Sequence, residues 1–282
     1  MEIVDIFSEY INMSKIINKR GTFKYNVSCF IYVKKCFDSL QINTVKEFLM
    51  IKYIDFINWY KVNTNLKNSS INKVIVFIKS VFKYHNIDIN ADYKKLKNDT
   101  KNYEPFDDAE KRLIYKALSI INDKNQNILY KIVVNLLFDT GCRIGELLEI
   151  KVRNIDLEKN EILLEKTKNG KNRFVFFTEE TKKILNRLLL SCNNEYLFFN
   201  IYRCRKVLPE DIKCFFTKKL KPLTGIKKIH AHRFRKTFAM DLYLKKIDLF
   251  TIMTLLGHSD LKTTQIYLSF SKEYVRKQYF SC

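Results

Sequence analysis

Histidine and glycine are scarce in this chain, and where they fall is informative. Three of the four histidines, His230, His232 and His258, lie within 29 residues, and only His85 stands apart. Among the six glycines, Gly141 and Gly145 flank Arg143, Gly170 follows Asn169, and Gly257 precedes His258. His258 stands nine residues before Tyr267 in "LLGHSDLKTTQIYLSF", across a polar turn. A plain helical hairpin with an inward-packed aromatic would give the same spacing. The chemical alternative is that His258 and Tyr267 act on one phosphate.

A metal site fits this set poorly. His230 and His232 are two residues apart, which suits a strand better than one helical face, and no carboxylate or cysteine lies near them at ligand spacing. Their neighbours in "KKIHAHRFRK" (residues 227–236) are cations, which repel a metal ion and attract phosphate, with arginine offering a planar bidentate donor.

Elements must bring these residues together. In the first hundred residues Phe30, Val33, Phe37 and Leu40, and then Ile71, Val74, Ile78 and Val81, repeat at spacings of three and four, so each set predicts one apolar helical stripe. Thr44 with Glu47 has the form of a capping box. A polar stretch containing Pro105 precedes a second box, Asp107 with Glu110, which predicts a linker at about 97–107. A helical run, "NILYKIVVNLLFDTGCRIGELLEI", comes next, followed by two strand-like segments around Asn169-Gly170, the turn chemistry of a β-hairpin. Thr178, followed by Glu179 and Glu180, reopens a helix, and helices are expected to continue to the end. The fold class expected is mainly α (α+β): an N-terminal helical domain over 1–100 and a mostly helical domain over 101–282 with a small antiparallel β-sheet.

With 282 residues and 46% hydrophobic content the chain can bury a core in each domain, and no apolar run long enough for a membrane span is present. The seven cysteines form no CxxC pair, and the N-terminus lacks a signal peptide's basic start, so a cytoplasmic protein of reducing surroundings is expected. The formal charge is +21, with 16 Lys or Arg against 9 Asp or Glu in residues 1–100 and 35 against 21 in the rest. AT-rich coding would also enrich lysine, but a surplus in both halves fits two lobes on one polyanion, with nucleic acid the first candidate.

Three segments carry a family resemblance. "DTGCRIGELLEI" (139–150), "HAHRFRKTFA" (230–239) and "LLGHSDLKTTQIY" (255–267) resemble, in order, the TGxRxxEL, HxLRHTFA and LGHxxxxTTxxY boxes of the tyrosine recombinase, or phage integrase, family. The resemblance covers most of residues 105–282 and implies a site-specific recombinase, Xer-like or from a small mobile element. Position by position it implies Arg143 and Arg235 on the scissile phosphate, Glu146 orienting Arg143, and His258 as a further donor. Tyr267 would be the nucleophile, forming a 3′-phosphotyrosyl bond and releasing a 5′-hydroxyl. His232 would move a proton to and from Tyr267, and a hairpin lysine would protonate the leaving oxygen. Aligning Arg173 with the basic residue that opens the second strand selects Lys168 for that lysine, with Lys166 and Lys171 as alternatives. Lys171, Arg173, Lys227, Lys228 and Arg233 are expected on the DNA backbone, a role that gives affinity without sequence reading.

The chain departs from the pattern at Phe234, at Lys236 in place of a histidine, and in "FVFF", which lacks the usual proline. The chemistry is phosphoryl transfer with two arginines where other enzymes use a cation, so no metal and no nucleotide cofactor is expected. Further expectations are a helical, SAM-like core-binding lobe at the start with no arm-binding domain before it, a two-domain clamp on double-stranded DNA, and a homotetramer on two sites, with or without a second recombinase. A type IB topoisomerase shares the chemistry, and a catalytically silent DNA-binding protein shares the fold. The silent protein's expected mark, loss of a catalytic residue, is absent from the sequence.

Overall fold

The computed structural model describes residues 2–18, 20–89, 94–97, 104–121, 127–165, 172–190, 194–257 and 280. The chain divides into two compact units, Met1–Lys101 and Asn102–Cys282.

Unit 1 is helical: α1 (Ile3–Ile17), α2 (Arg20–Leu40), α3 (Val45–Met50), α4 (Tyr53–Asn63) and α5 (Asn68–Tyr84). The α5 stripe is fully realised, with Ile71, Val74, Ile78 and Val81 all buried. On α2, Val33 and Phe37 are buried and Phe30 is partly so, while Leu40, the last residue of the helix, is exposed. Thr44 accepts from the Glu47 backbone N–H at 3.2 Å and Glu47 accepts from the Thr44 N–H at 3.0 Å, the reciprocal cap that starts α3.

Unit 2 begins with α6 (Asp108–Ile120), capped in the same way by Asp107 and Glu110, and continues into α7 (Asn127–Thr140) and the short α8 (Ile144–Leu147). A three-stranded antiparallel sheet follows: β1 (Ile155–Asp156), β2 (Glu161–Leu164) and β3 (Arg173–Phe176), in the order β1-β2-β3. β2 and β3 pair from Glu161↔Phe176 to Leu164↔Arg173, as the hairpin reading requires. Next come α9 (Glu179–Leu189), a hairpin of β4 (Phe199–Asn200) and β5 (Arg205–Lys206), α10 (Pro209–Phe215), a π-helical turn Phe216–Leu220 and α11 (Lys221–Thr224). α12 (Ala231–Leu244) and α13 (Leu249–Leu256) close the described part of the unit.

Two expectations differ from what is found. The run after residue 127 is not one helix: α7 stops at Thr140, and Gly141 takes a left-handed φ of +57°. Helices also do not continue unbroken after α9, because β4 and β5 intervene.

The unit's main core packs α7 against its neighbours through Ile132, Val133, Leu136 and Leu137, with Phe106, Phe138, Phe216 and Phe234 as an aromatic cluster. A smaller cluster of Phe238, Ala239, Ile252 and Leu256 joins α12 to α13. Among the described residues, no helix is long and apolar enough to cross a membrane.

Candidate active site

The site starts where α7 ends. The left-handed backbone at Gly141 favours glycine, and so does the space: an added Cβ would sit 2.3 Å from Cδ1 of Phe238. Because α12 comes this close, the turn that follows is held directly against it. Arg143 then occupies the N-cap position of α8. Glu146, three residues on, accepts from the Arg143 backbone N–H at 3.1 Å and from its Nη1 at 2.9 Å. Asp139 ties the same corner to α9, since its Oδ2 accepts from the Thr178 N–H at 2.9 Å and from the Thr181 hydroxyl at 2.6 Å.

Glu146 has a second cation. Arg173, the first residue of β3, donates Nη2 to Glu146 Oε2 at 2.7 Å, and both side chains are more than nine-tenths buried. Burial alone would push the carboxyl pKa up. The hydrogen bond and charge of Arg173, with the backbone and side-chain hydrogen bonds of Arg143, more than offset it and hold the pKa below the usual range, so Glu146 is ionised at neutral pH.

Arg235 reaches the same place from α12. It is 1% exposed and donates Nη1 to the Gly141 carbonyl at 2.9 Å and Nη2 to the Leu256 carbonyl at 2.7 Å. Arg173 Nε donates to the neighbouring Leu255 carbonyl at 3.1 Å. Two guanidinium groups thus take carbonyls from the last turn of α13, where helical partners run out and the helix dipole is negative. The helix ends at Gly257, with φ +65° and no room for a side chain: a Cβ there would lie 2.8 Å from Arg173 Nη1.

His232 lies three residues before Arg235 on α12. Its pKa is lowered by desolvation and then by the charges of Arg235 and Arg143, so the ring is neutral at pH 7 and can accept a proton. His230, at the N-cap of α12, is lowered by desolvation and by the charges of His232, Arg233 and Lys228. Lys236 is 6% exposed, and burial lowers its pKa against the opposing pull of Glu104.

Arg143, Glu146, His232 and Arg235 therefore come together. Lys168, Lys171, Lys166, His258 and Tyr267 lie outside the described residues. Lys227 and Lys228 are exposed, and with Glu104, Glu110 and Arg233 they help line a cavity of about 670 Å³.

Two arginines expected on DNA are used otherwise. Arg233 ion-pairs with Glu110, donates to the Glu104 and Lys228 carbonyls, each at 2.9 Å, and stacks 4.1 Å over the Phe106 ring. Its guanidinium holds the segment before α6 against α12. Arg173 is turned inward as described. Neither role was visible in sequence, because Glu110 lies 123 residues from Arg233 and Leu255 lies 82 from Arg173. The alternation of β3 was an available signal: Arg173 shares its face with buried Val175, while Phe174 and Phe176 are exposed.

Residues 82–273 match the phage integrase family. Over 281 residues the chain is 27% identical to a protein of Acholeplasma phage L2 described as a "probable integrase/recombinase", an alignment covering 99% of this chain and 97% of that one. It is 32% identical over 213 residues to tyrosine recombinase XerA of Saccharolobus solfataricus, covering 76% of this chain and 67% of the relative. The Tn1549 transposon integrase, solved in complex with a circular intermediate DNA, has the same fold, with a TM-score of 0.77, 17% identity and full coverage of both chains.

Proposed function

The chain belongs to the phage integrase family, and from that premise we propose that it is a site-specific DNA recombinase that cuts and rejoins duplex DNA through a 3′-phosphotyrosyl intermediate. The observation that carries the reading is the convergence of two sequence-distant segments, the turn bearing Arg143 and the helix bearing His232 and Arg235, with Arg235 bonded to the Gly141 carbonyl and to the Leu256 carbonyl at the end of α13.

In this reading Tyr267 attacks the phosphorus, a phosphotyrosyl bond forms, and the bond to the 5′ oxygen breaks. Arg143 and Arg235 stabilise charge on the non-bridging oxygens, with His258 as a further donor. Glu146, kept ionised, fixes the guanidinium of Arg143. Neutral His232 accepts the tyrosine proton, and Lys168 gives one to the leaving 5′ oxygen. Lys171, Lys227 and Lys228 add affinity on the phosphate backbone. The covalent bond keeps the energy of the phosphodiester, so a new 5′-hydroxyl can attack without ATP, and no metal is required. The assembly is a homotetramer on two DNA sites, with or without a second recombinase, working in the bacterial cytoplasm or nucleoid. The division of labour is a helical core-binding domain over 1–100 and a catalytic domain over 101–282.

A nicked suicide duplex bearing the chain's own recombination site tests this. The expected result is a protein–DNA adduct that survives denaturant and is absent in Tyr267→Phe. An adduct that persists in that variant would refute the nucleophile. Relaxation of any supercoiled plasmid with no recombinant product would point instead to topoisomerase-like activity.

A further inference from the structure

Arg173 was expected on the DNA backbone, yet it sits on the core face of β3, more than nine-tenths buried, while the exposed positions of that strand are Phe174 and Phe176. Its guanidinium is divided between two elements: Nη2 meets Glu146 Oε2 at 2.7 Å and Nε meets the Leu255 carbonyl at 3.1 Å. The other oxygen of Glu146 holds Arg143 Nη1 at 2.9 Å. The third nitrogen, Nη1, has no partner among the described residues and faces Gly257, where any Cβ would approach to 2.8 Å.

We propose that Arg173 is a positioning residue. Through Glu146 it fixes the phosphate-gripping guanidinium of Arg143, and through Leu255 it fixes the end of α13, so that Arg143 and the helix end at Gly257 share one frame. The role needs a planar fork that can donate in two directions at once, which lysine, a single point donor, supplies only in part. Misplacing a reacting group by an ångström is enough to cost about 100-fold in rate. The proposal rests on the recombinase reading and goes beyond it, since it gives Arg173 a role that acts through Glu146 and the end of α13.

The test uses the full chain and the nicked duplex, with two readouts in wild type, Arg173→Met and Arg173→Lys. One is the single-turnover rate of adduct formation at saturating protein; the other is DNA affinity across a salt series. Arg173→Met is expected to slow the saturating rate on the order of 10- to 100-fold, with affinity within about twofold of wild type and an unchanged salt slope. Arg173→Lys is expected to recover part of the rate. A salt slope smaller by about one, with weakened affinity and an unchanged saturating rate, would make Arg173 a phosphate contact and overturn the proposal. Rates equal to wild type in both variants would overturn it too. Thermal unfolding accompanies each variant. If Arg173→Met does not fold, Arg173→Lys must by itself show the slowed rate at unchanged affinity, and if it also fails to fold, Arg173 serves the fold alone. A wild-type chain that forms no adduct on its own site would remove the recombinase reading, and this proposal with it.

Discussion

The two units bury different chemistry. At the centre of unit 1, Phe7 packs against Phe37, Phe77 and Phe82 at ring separations of 5.5, 5.7 and 6.0 Å. Among the described residues its buried polar side chains are neutral and hydrogen-bonded: Asn26 donates to the Ser14 hydroxyl at 2.8 Å, and Asn72 accepts from the Leu96 N–H at 2.7 Å. In unit 2, Arg235 and Lys236 are buried side by side on α12, and the Glu146–Arg173 pair is nearly as deep. Taking a charge out of water costs several kcal/mol unless partners compensate. An apolar replacement often serves stability as well or better, so a unit that keeps such groups is organised around what they hold. Unit 1 is built for packing, and unit 2 gives up some packing to place cations.

The largest expected effect sharpens that contrast from the packing side. Phe7→Ala removes the centre of an aromatic cluster and is expected to lower stability by about 3–5 kcal/mol in chemical denaturation. The folded fraction should keep its rate of adduct formation at saturating DNA. A slowed saturating rate with stability intact would break the contrast, because unit 1 would then be acting on the chemistry.

Next comes the charge side. Arg235→Gln keeps one amide donor for the Gly141 or Leu256 carbonyl but removes the cation. Adduct formation should fall on the order of 100- to 1,000-fold, equivalent to about 2.7–4 kcal/mol of transition-state stabilisation. A full rate beside a large loss of stability would assign Arg235 to the fold.

How much of this could be read beforehand follows from the range of each interaction. The α5 stripe and the two capping boxes repeat at three and four residues, so the sequence shows them directly, and the Arg143–Glu146 pair has the same local spacing. The three boxes mark which residues matter without saying what holds them. The partners of Arg173 and Arg233 lie 27 to 123 residues away, where no local pattern names them, although the alternation of β3 marks the inward face of Arg173. The break at Gly141 lay between these cases. A glycine just past a helical run is a common stop signal, but the apolar periodicity resumes at Ile144 and Leu147 and conceals it. Only the approach of Phe238 shows why the stop is needed.

That break supports a third prediction, smaller than the first two. Gly141→Ala meets both a left-handed backbone and a Cβ position 2.3 Å from Phe238, so it should cost about 1–3 kcal/mol and also slow adduct formation, since the turn carrying Arg143 must move. Gly225 is the control: it has φ +69°, but nothing lies within 4 Å of an added Cβ. Gly225→Ala carries the backbone strain alone and should leave the rate unchanged. Equal rate losses in the two variants would show that strain, not the approach of α12, governs the corner.

The smallest effect compares one device in two settings. Glu47 in unit 1 and Glu110 in unit 2 both sit three residues into a helix and reach back to the cap. Glu47 accepts from the Asn43 and Thr44 backbone N–H groups, at 2.7 and 3.0 Å, in an exposed and self-contained turn. Glu110 accepts from the Asp107 N–H at 3.3 Å and also from the guanidinium of Arg233, which is itself largely buried over Phe106. Neutralising Glu47 as Glu47→Gln should therefore leave the unfolding midpoint close to wild type, because an amide oxygen still accepts in an open turn. Glu110→Gln leaves a largely buried cation without its counter-charge and should cost about 1–2 kcal/mol. Addition of salt should narrow the difference little, since the Arg233 pair is shielded from solvent. If the two variants shift the midpoint equally, Glu110 is only a cap, and the charge network of unit 2 stops short of α6.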